Sequence, residues 1–233
     1  MRAPAHRCLS LQTLPAPPPF QPSLMRELGL RGLQFGSKDR LYPSCLSIDL
    51  CGFVDSAGLT TLPGRISLID GRALFLQQDA VRPLPFADGC FEWAYAEHFI
   101  EHIPLGDAVR WLKEVRRVLR PGGLVRITTP DLRRYVEGYL DPDGAFFAEH
   151  RRRLRDAALP VETRPAWMVN QIFRFWGHQW VYDLEELRFV AGAAGFDLGG
   201  FQRCGFGQGR DPEVCSLDRA LRNDETIYIE VTA

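Results

Sequence analysis

The sequence has almost no lysine: Lys38 and Lys113 are the only two, and arginine supplies the rest of the positive charge. The formal net charge is −1, so the basic surplus that a nucleic-acid binder presents is lacking, and no nucleic-acid partner is expected. The arginine bias reads more simply as a trace of high-GC coding than as a binding feature. No stretch approaches the roughly 18 to 20 apolar residues of a membrane span. A soluble, cytoplasmic protein with no membrane partner is therefore expected, and nothing in the sequence fixes its oligomeric state. None of Cys8, Cys45, Cys51, Cys90, Cys204 and Cys215 forms a C-x-x-C pair. A chain of 233 residues is long enough to stand without disulfide staples, so these cysteines read as reduced thiols, several of them filling the core. No internal repeat is visible. No G-x-G-x-x-G follows a strand candidate, which leaves a nicotinamide dehydrogenase poorly supported.

Residues 1–28 differ from everything after them. Pro4, Pro15, Pro17, Pro18, Pro19 and Pro22 crowd this stretch, and no acid precedes Glu27. An acid-free, arginine-bearing start resembles a transit peptide, but the prolines oppose the amphipathic helix such peptides form. A disordered leader is expected, or an initiator at Met25; no catalytic residue is expected there. The remaining 29–233 form the expected domain.

Within it, Gly32–Phe35 reads as a short buried strand ending in the turn Gly36-Ser37-Lys38, and Cys45–Leu50 as a second strand carrying the acid Asp49. Leu74–Leu76 and Phe91–Ala96 are further strand candidates. Ala108, Trp111, Leu112, Val115 and Leu119 recur at three- and four-residue steps, the stripe of an amphipathic helix that Pro121-Gly122-Gly123 stops. Leu124–Thr129 is β-branched and strand-like. Leu184–Val190 suggests a helix with Asp183 as its N-cap and Gly195 at its end. Thr226–Val231 alternates like an antiparallel edge strand. Strands alternating with helices predict an α/β fold: a Rossmann-like, doubly wound, mostly parallel sheet with an antiparallel C-terminal strand. A helical, aromatic lid is expected as an insertion at about 140–182, with the arginines of 151–155 on a solvated face.

Several stretches resemble class I methyltransferases of the type 11 group. Pro83-Leu84-Pro85-Phe86-Ala87-Asp88-Gly89-Cys90-Phe91-Glu92 fits the group's LPF-x-D-x-SFD segment, and Arg117-Val118-Leu119-Arg120-Pro121-Gly122-Gly123 fits RVLKPGG. Tyr95-Ala96-Glu97-His98-Phe99-Ile100-Glu101-His102 resembles the YAEHFLEH string of one predicted-methyltransferase subgroup, and Phe175–His178 with Tyr182-Asp183 resembles a later part of it. The resemblance runs from about residue 31 to the C-terminus. It implies an S-adenosylmethionine-dependent methyltransferase, although a family does not fix the acceptor.

The cofactor that this resemblance implies, S-adenosylmethionine, can be laid onto particular residues. A glycine after the first strand lets the backbone approach the ligand, and Gly36, with Ser37 beside it, holds that place. Asp49 is placed to accept from ribose hydroxyls. The resemblance sets Asp79 against the adenine amino group, with the Ala80 amide beside it, and Glu97 is a further cofactor-binding candidate. The family usually shows G-x-G where this chain has Gly36-Ser37-Lys38, and the short Gly36-to-Asp49 spacing suggests a truncated first helix.

Methyl transfer depends mainly on positioning, with a base needed for some acceptors. Candidate catalytic residues are His98, Glu97, His102 and His178. Each histidine also has a bland reading as a hydrogen-bonded packing residue. Asp131 reads as a helix cap. His98, His102 and His178 could together ligate a metal, but the H-E-x-x-H order is missing and no metal is expected. The acceptor is expected to be a small molecule or a glycan-type hydroxyl. The alternative is a catalytically silent methyltransferase fold serving as a partner or binding subunit, motivated by the altered turn and separated from an enzyme by cofactor affinity.

Overall fold

The computed structural model describes residues 5–233. In chain order it forms β1 (His6–Arg7), β2 (Leu11–Thr13), α1 (Pro22–Glu27), β3 (Gly32–Phe35), β4 (Cys45–Asp49), β5 (Phe53–Val54), β6 (Ile66–Ile69), β7 (Ala73–Gln77) and β8 (Phe91–Glu97). There follow α2 (Leu105–Val118), β9 (Leu119–Pro130), α3 (Leu132–Leu140), α4 (Ala145–Asp156), α5 (Pro165–Arg174), α6 (Leu184–Ala193), β10 (Gln202–Cys204), α7 (Pro212–Cys215) and β11 (Thr226–Thr232).

A nine-stranded sheet runs in the order β10-β11-β9-β8-β3-β4-β7-β6-β2. Its centre is parallel: β8 pairs with β9 and β3, and β4 with β3 and β7. β3 is buried along its whole length and β4 up to Asp49, as expected of parallel strands covered on both faces. β11 runs antiparallel to β9, so the mostly parallel sheet with an antiparallel C-terminal strand is realised. β11 is not the edge, however. β10 pairs outside it, and the run from Ile227 to Val231 is buried on both faces.

The sheet is wound unevenly. α2 lays Ala108, Trp111, Leu112, Val115 and Val118 onto one face, where Phe35, Phe99 and Trp111 meet at ring distances of 5.0–5.9 Å. Leu187, Val190 and Ala191 of α6 join the same core; each fully buried large aliphatic side chain contributes about 1.5–3 kcal/mol. The opposite face is closed by a smaller cluster of Cys45, Trp93, Tyr95, Leu124, Val214 and Leu217. No helix occupies the crossover between β3 and β4; a loop through Gly36 makes it directly. The first helix is thus missing rather than merely short.

The opening segment departs from the disorder expected of it. β2 pairs with β6, Phe20 is buried against Phe86, and Met25 of α1 is buried in the main core. The prolines forbid a long helix but leave extended segments free, and an apolar residue such as Phe20 then anchors them. Pro4 and the three residues before it lie outside the described residues. Further along, α3, α4 and α5 enclose a core of their own, with Tyr135, Phe147, Leu154, Met168 and Ile172. Asp131 caps α3 by accepting from the Arg133 amide at 3.1 Å, and Asp183 caps α6 through Glu186 at 2.9 Å. The arginines of α4 pair outward: Arg152 with Glu149 and Asp156.

Candidate active site

The carboxyl ends of β3, β4, β7 and β8 open onto one cleft of about 570 Å³, within the ordinary range for a small-molecule site. Open α/β sheets bind ligands at this end because the crossovers diverge there. Gly36, Asp49, Asp79, Ala80, His98 and His102 all line it, as do Lys38, Phe99, Ile103 and Trp176. Most of the wall is apolar, with carboxylates and Lys38 at its margins.

Asp49 stands at the end of β4, and its carboxylate holds the neighbouring loops. Oδ2 accepts from the Lys38 amide at 2.8 Å and Oδ1 from the Cys51 amide at 2.9 Å. Gly36 has φ +67°, and a side chain there would press on Phe99 at 3.2 Å, so the turn needs glycine. Asp79 is more open, with its side chain 43% exposed, and accepts only from the Val81 amide at 3.2 Å. Two non-glycine residues at the cleft, Lys38 and His98, have left-handed backbones with φ +49° and +47°. Such conformations cost about 1–3 kcal/mol and persist only where surroundings enforce them. The Asp49 carboxylate enforces the first, and a His98 amide bond to the Thr128 carbonyl at 2.8 Å enforces the second.

His98 is expected to serve as base, yet both of its ring nitrogens are engaged. The Thr226 hydroxyl donates to the Arg222 carbonyl at 2.6 Å, so its oxygen accepts from His98 Nε2 at 2.9 Å. Nδ1 then accepts from the Arg222 guanidinium at 3.2 Å. His98 is thereby a positioning residue at a strained strand end, with no nitrogen free to take an acceptor proton.

Glu97 and Ser37 do not reach the main cleft. They line an adjoining polar cavity of about 150 Å³ with Arg40, Arg219 and Arg222. Burial pushes the Glu97 carboxyl up to about 7 against the pull of His98 and Arg40, and the Arg219 guanidinium sits directly upon it. The Ser37 hydroxyl is buried without a partner. Neither residue touches the surface where Asp49 and Asp79 stand.

His178 lies behind the cleft wall, where it lines a separate cavity under α4 and α5. Its ring meets that of His102 at 4.9 Å. Burial lowers the basicity of both imidazoles. The aromatic roof expected over the cleft reduces to Trp176. Phe173, Phe175 and Trp180 are 41–49% exposed, Phe175 packing on Trp167 and the Trp180 indole donating to Glu186.

Residues that sequence reasoning did not single out complete the site. Arg219, Arg222 and Thr226 reach Glu97 and His98 from more than 120 positions away, a distance over which no local pattern carries a signal. Glu101, passed over as a member of the string, proves the most deeply buried acid at the site, with no exposed surface.

Among solved structures, the chain is similar to a SAM-dependent methyltransferase from Thermotoga maritima, at 17% identity over 87% of this chain and 81% of that one, with a TM-score of 0.45. A SAM-dependent methyltransferase from Archaeoglobus fulgidus matches at 12% identity over 91% and 92% of the two chains, TM-score 0.45. Human N-acetylserotonin methyltransferase matches at 13% over 89% and 48%, TM-score 0.44. No curated protein matches the chain. Residues 55–127 match the methyltransferase domain family, a stretch that includes Asp79, Ala80 and the Glu97–His102 string.

Proposed function

We propose that the chain is an S-adenosylmethionine-dependent methyltransferase that acts on a small-molecule or glycan-type acceptor. The observation that carries this reading is the convergence of Gly36, Asp49, Asp79 and Ala80, from three adjacent parallel strands, on one cleft beside the His98–Ile103 segment. The donor set suits the cofactor: a close-approach glycine, two carboxylates for hydroxyl and amino groups, and apolar walls for a flat base. S-adenosylmethionine, when bound, supplies a methyl carbon already activated by its sulfonium. Asp49 would accept from the ribose hydroxyls, while Asp79 and the Ala80 amide would meet the adenine edge. Lys38, whose ammonium is near enough to depress His102, would pair with the amino-acid carboxylate, which turns the departure from G-x-G into a binding feature.

The rest of the chemistry is positioning. The acceptor would enter over His98 and His102 toward the arginine-lined cavity, whose size admits part of a small molecule and no folded chain. Proton removal from an oxygen or nitrogen acceptor is left to the His102 side of the cleft, since His98 is committed elsewhere and Glu101 and His178 lie behind the wall. The test is transfer of a labelled methyl group from S-adenosylmethionine to low-molecular-mass compounds extracted from cells. Label appearing in that pool is the expected result. Label that remains on the cofactor, or passes only to protein or nucleic acid, contradicts the reading.

A further inference from the structure

Behind the cleft wall, Glu101, His102 and His178 bring one carboxylate oxygen and two imidazole nitrogens within 4.8 Å of one another. The backbone builds this cluster. Gln179 and Trp180 donate their amides to the Glu101 carbonyl at 2.7 and 3.2 Å, and the Gln179 side chain donates to the His102 carbonyl at 2.8 Å. Gly177, at φ +77°, turns the chain so that this segment docks there, and His178 is carried to Glu101.

The hydrogen bonds of the cluster leave two atoms unsatisfied. Glu101 has no exposed surface. Its Oε2 accepts from the Thr129 hydroxyl at 3.0 Å, but its Oε1 is buried without a partner. His98 Nδ1 lies 3.2 Å from that oxygen, yet it forms no hydrogen bond to it, being turned to the Arg222 guanidinium instead. On His178, Nδ1 faces the Ile172 carbonyl. A carbonyl can only accept, so Nδ1 carries the proton and Nε2 presents a lone pair. That Nε2 is likewise buried without a partner. A bare carboxylate oxygen and a bare imidazole nitrogen, side by side in the interior, each incur a desolvation cost that a cation between them removes. A backbone carbonyl that fixes the tautomer is also the usual outer partner of a metal-ligating histidine.

We infer that Glu101, His102 and His178 form a binding site for a divalent transition-metal ion of the zinc type. Two nitrogens and one carboxylate oxygen suit zinc and its neighbours better than magnesium or calcium, which prefer all-oxygen shells. Metal–ligand bonds of about 2.1 Å would draw the three atoms together by roughly an ångström, a movement that the half-buried His102 can supply. Three protein ligands leave a coordination position open. Because His102 lines the cleft, an ion held there would border the acceptor side and would lower the pKa of a bound hydroxyl. This last role rests on the methyl-transfer reading; the metal site itself does not.

The experiment uses the full chain, free of any affinity tag, stripped with chelator and titrated with Zn(II) alone. Bound metal is counted by elemental analysis, and Co(II) replaces it for a visible spectrum that reports nitrogen ligation. One equivalent per chain is expected. Loss of an outer partner already costs about 10–100-fold in metal affinity, so His178→Ala and His102→Ala should each lose at least about 100-fold. Glu101→Gln, which keeps the buried shape, should lose as much, and circular dichroism shows whether each variant is folded. His6→Ala, far from the cluster, should bind as the parent does. A folded parent that retains no zinc overturns the inference, as does affinity unchanged in the ligand variants or lowered equally in His6→Ala. S-adenosylhomocysteine binding, measured separately, reports on the methyltransferase reading, so either proposal can fail without the other.

Discussion

Asp49→Asn is the substitution whose outcome follows most closely from the geometry. Each carboxylate oxygen accepts one loop amide, from Lys38 at 2.8 Å and from Cys51 at 2.9 Å. Asparagine has the same shape but only one acceptor, so whichever way its amide turns, one backbone N–H meets a donor. A hydrogen bond to a charged group is worth about 1.5–3 kcal/mol. Asp49 is partly exposed, which places the loss near the lower end, at about 1.5–2 kcal/mol. For a domain of this size that corresponds to a fall in Tm of about 3–8 °C. The loop released is the one that holds Lys38 at φ +49°, so the cofactor site should loosen together with the fold. Thermal denaturation with and without S-adenosylhomocysteine reads both effects. At ligand 100-fold above Kd the parent gains about 2.7 kcal/mol, or roughly 5–11 °C; a variant binding 100-fold more weakly gains about 0.4 kcal/mol, or roughly 1–2 °C. An Asp49→Asn protein that melts with the parent and shows the full ligand shift would refute the reasoning.

Three further outcomes follow from the fold. The Glu114 carboxylate accepts from the Leu84 amide at 2.9 Å and from Arg117, and the Arg117 hydrogen bond holds it below the usual carboxylate range. A depressed acid stabilises the fold above its unfolded pKa and ceases to as pH falls through the folded value. Stability should therefore decline below about pH 4.5, and Glu114→Gln, costing about 1 kcal/mol at neutral pH, should flatten that decline in urea titrations across pH. Gly32→Ala drives a methyl group into the Trp93 ring at the centre of the sheet. Overpacking of this kind costs about 1–3 kcal/mol, and Trp93→Leu added to it should recover part of the loss; a Gly32→Ala protein with parental Tm contradicts the packing. Burial pushes the Cys45 and Cys90 thiols up to about 12 and about 11, so both should resist iodoacetamide in the native protein and react only after unfolding, as mass spectrometry of the peptides would show.

The parallel core was legible because its signals are local. Gly32–Phe35, Cys45–Asp49 and Phe91–Glu97 are short apolar runs bounded by turn residues, and the α2 stripe repeats at helical spacing. The caps Asp131 and Asp183 were legible for the same reason: each satisfies an amide within three residues of itself. Elements whose stability comes from distant partners were not. β6 is four residues long and is held by its pairing with β7, and the proline-rich opening looks disordered until Phe20 meets Phe86. Arg126 interrupts an apolar strand for a reason visible only in three dimensions, where it is wholly buried between Asp218 and Glu230. The site follows the same division. Gly36 and Asp49 announce themselves by position at strand ends and Asp79 through the family resemblance, and all three line the cleft. The engagement of His98 with Thr226 and Arg222, and the docking of His178 on Glu101, depend on contacts across 77 to 128 positions, which no spacing rule reaches.

The central claim, that the Asp49–Asp79 cleft holds S-adenosylmethionine, is tested most directly by titration calorimetry of the folded protein with S-adenosylmethionine and S-adenosylhomocysteine, in the parent and in Asp79→Ala. Asp79 accepts little within the protein, so its removal should leave the fold intact. The predicted result is a single micromolar site that weakens by about 10–100-fold in Asp79→Ala, the equivalent of one hydrogen bond to a charged group. Absence of heat with either ligand in folded parent protein, or equal affinity in the variant, would contradict it.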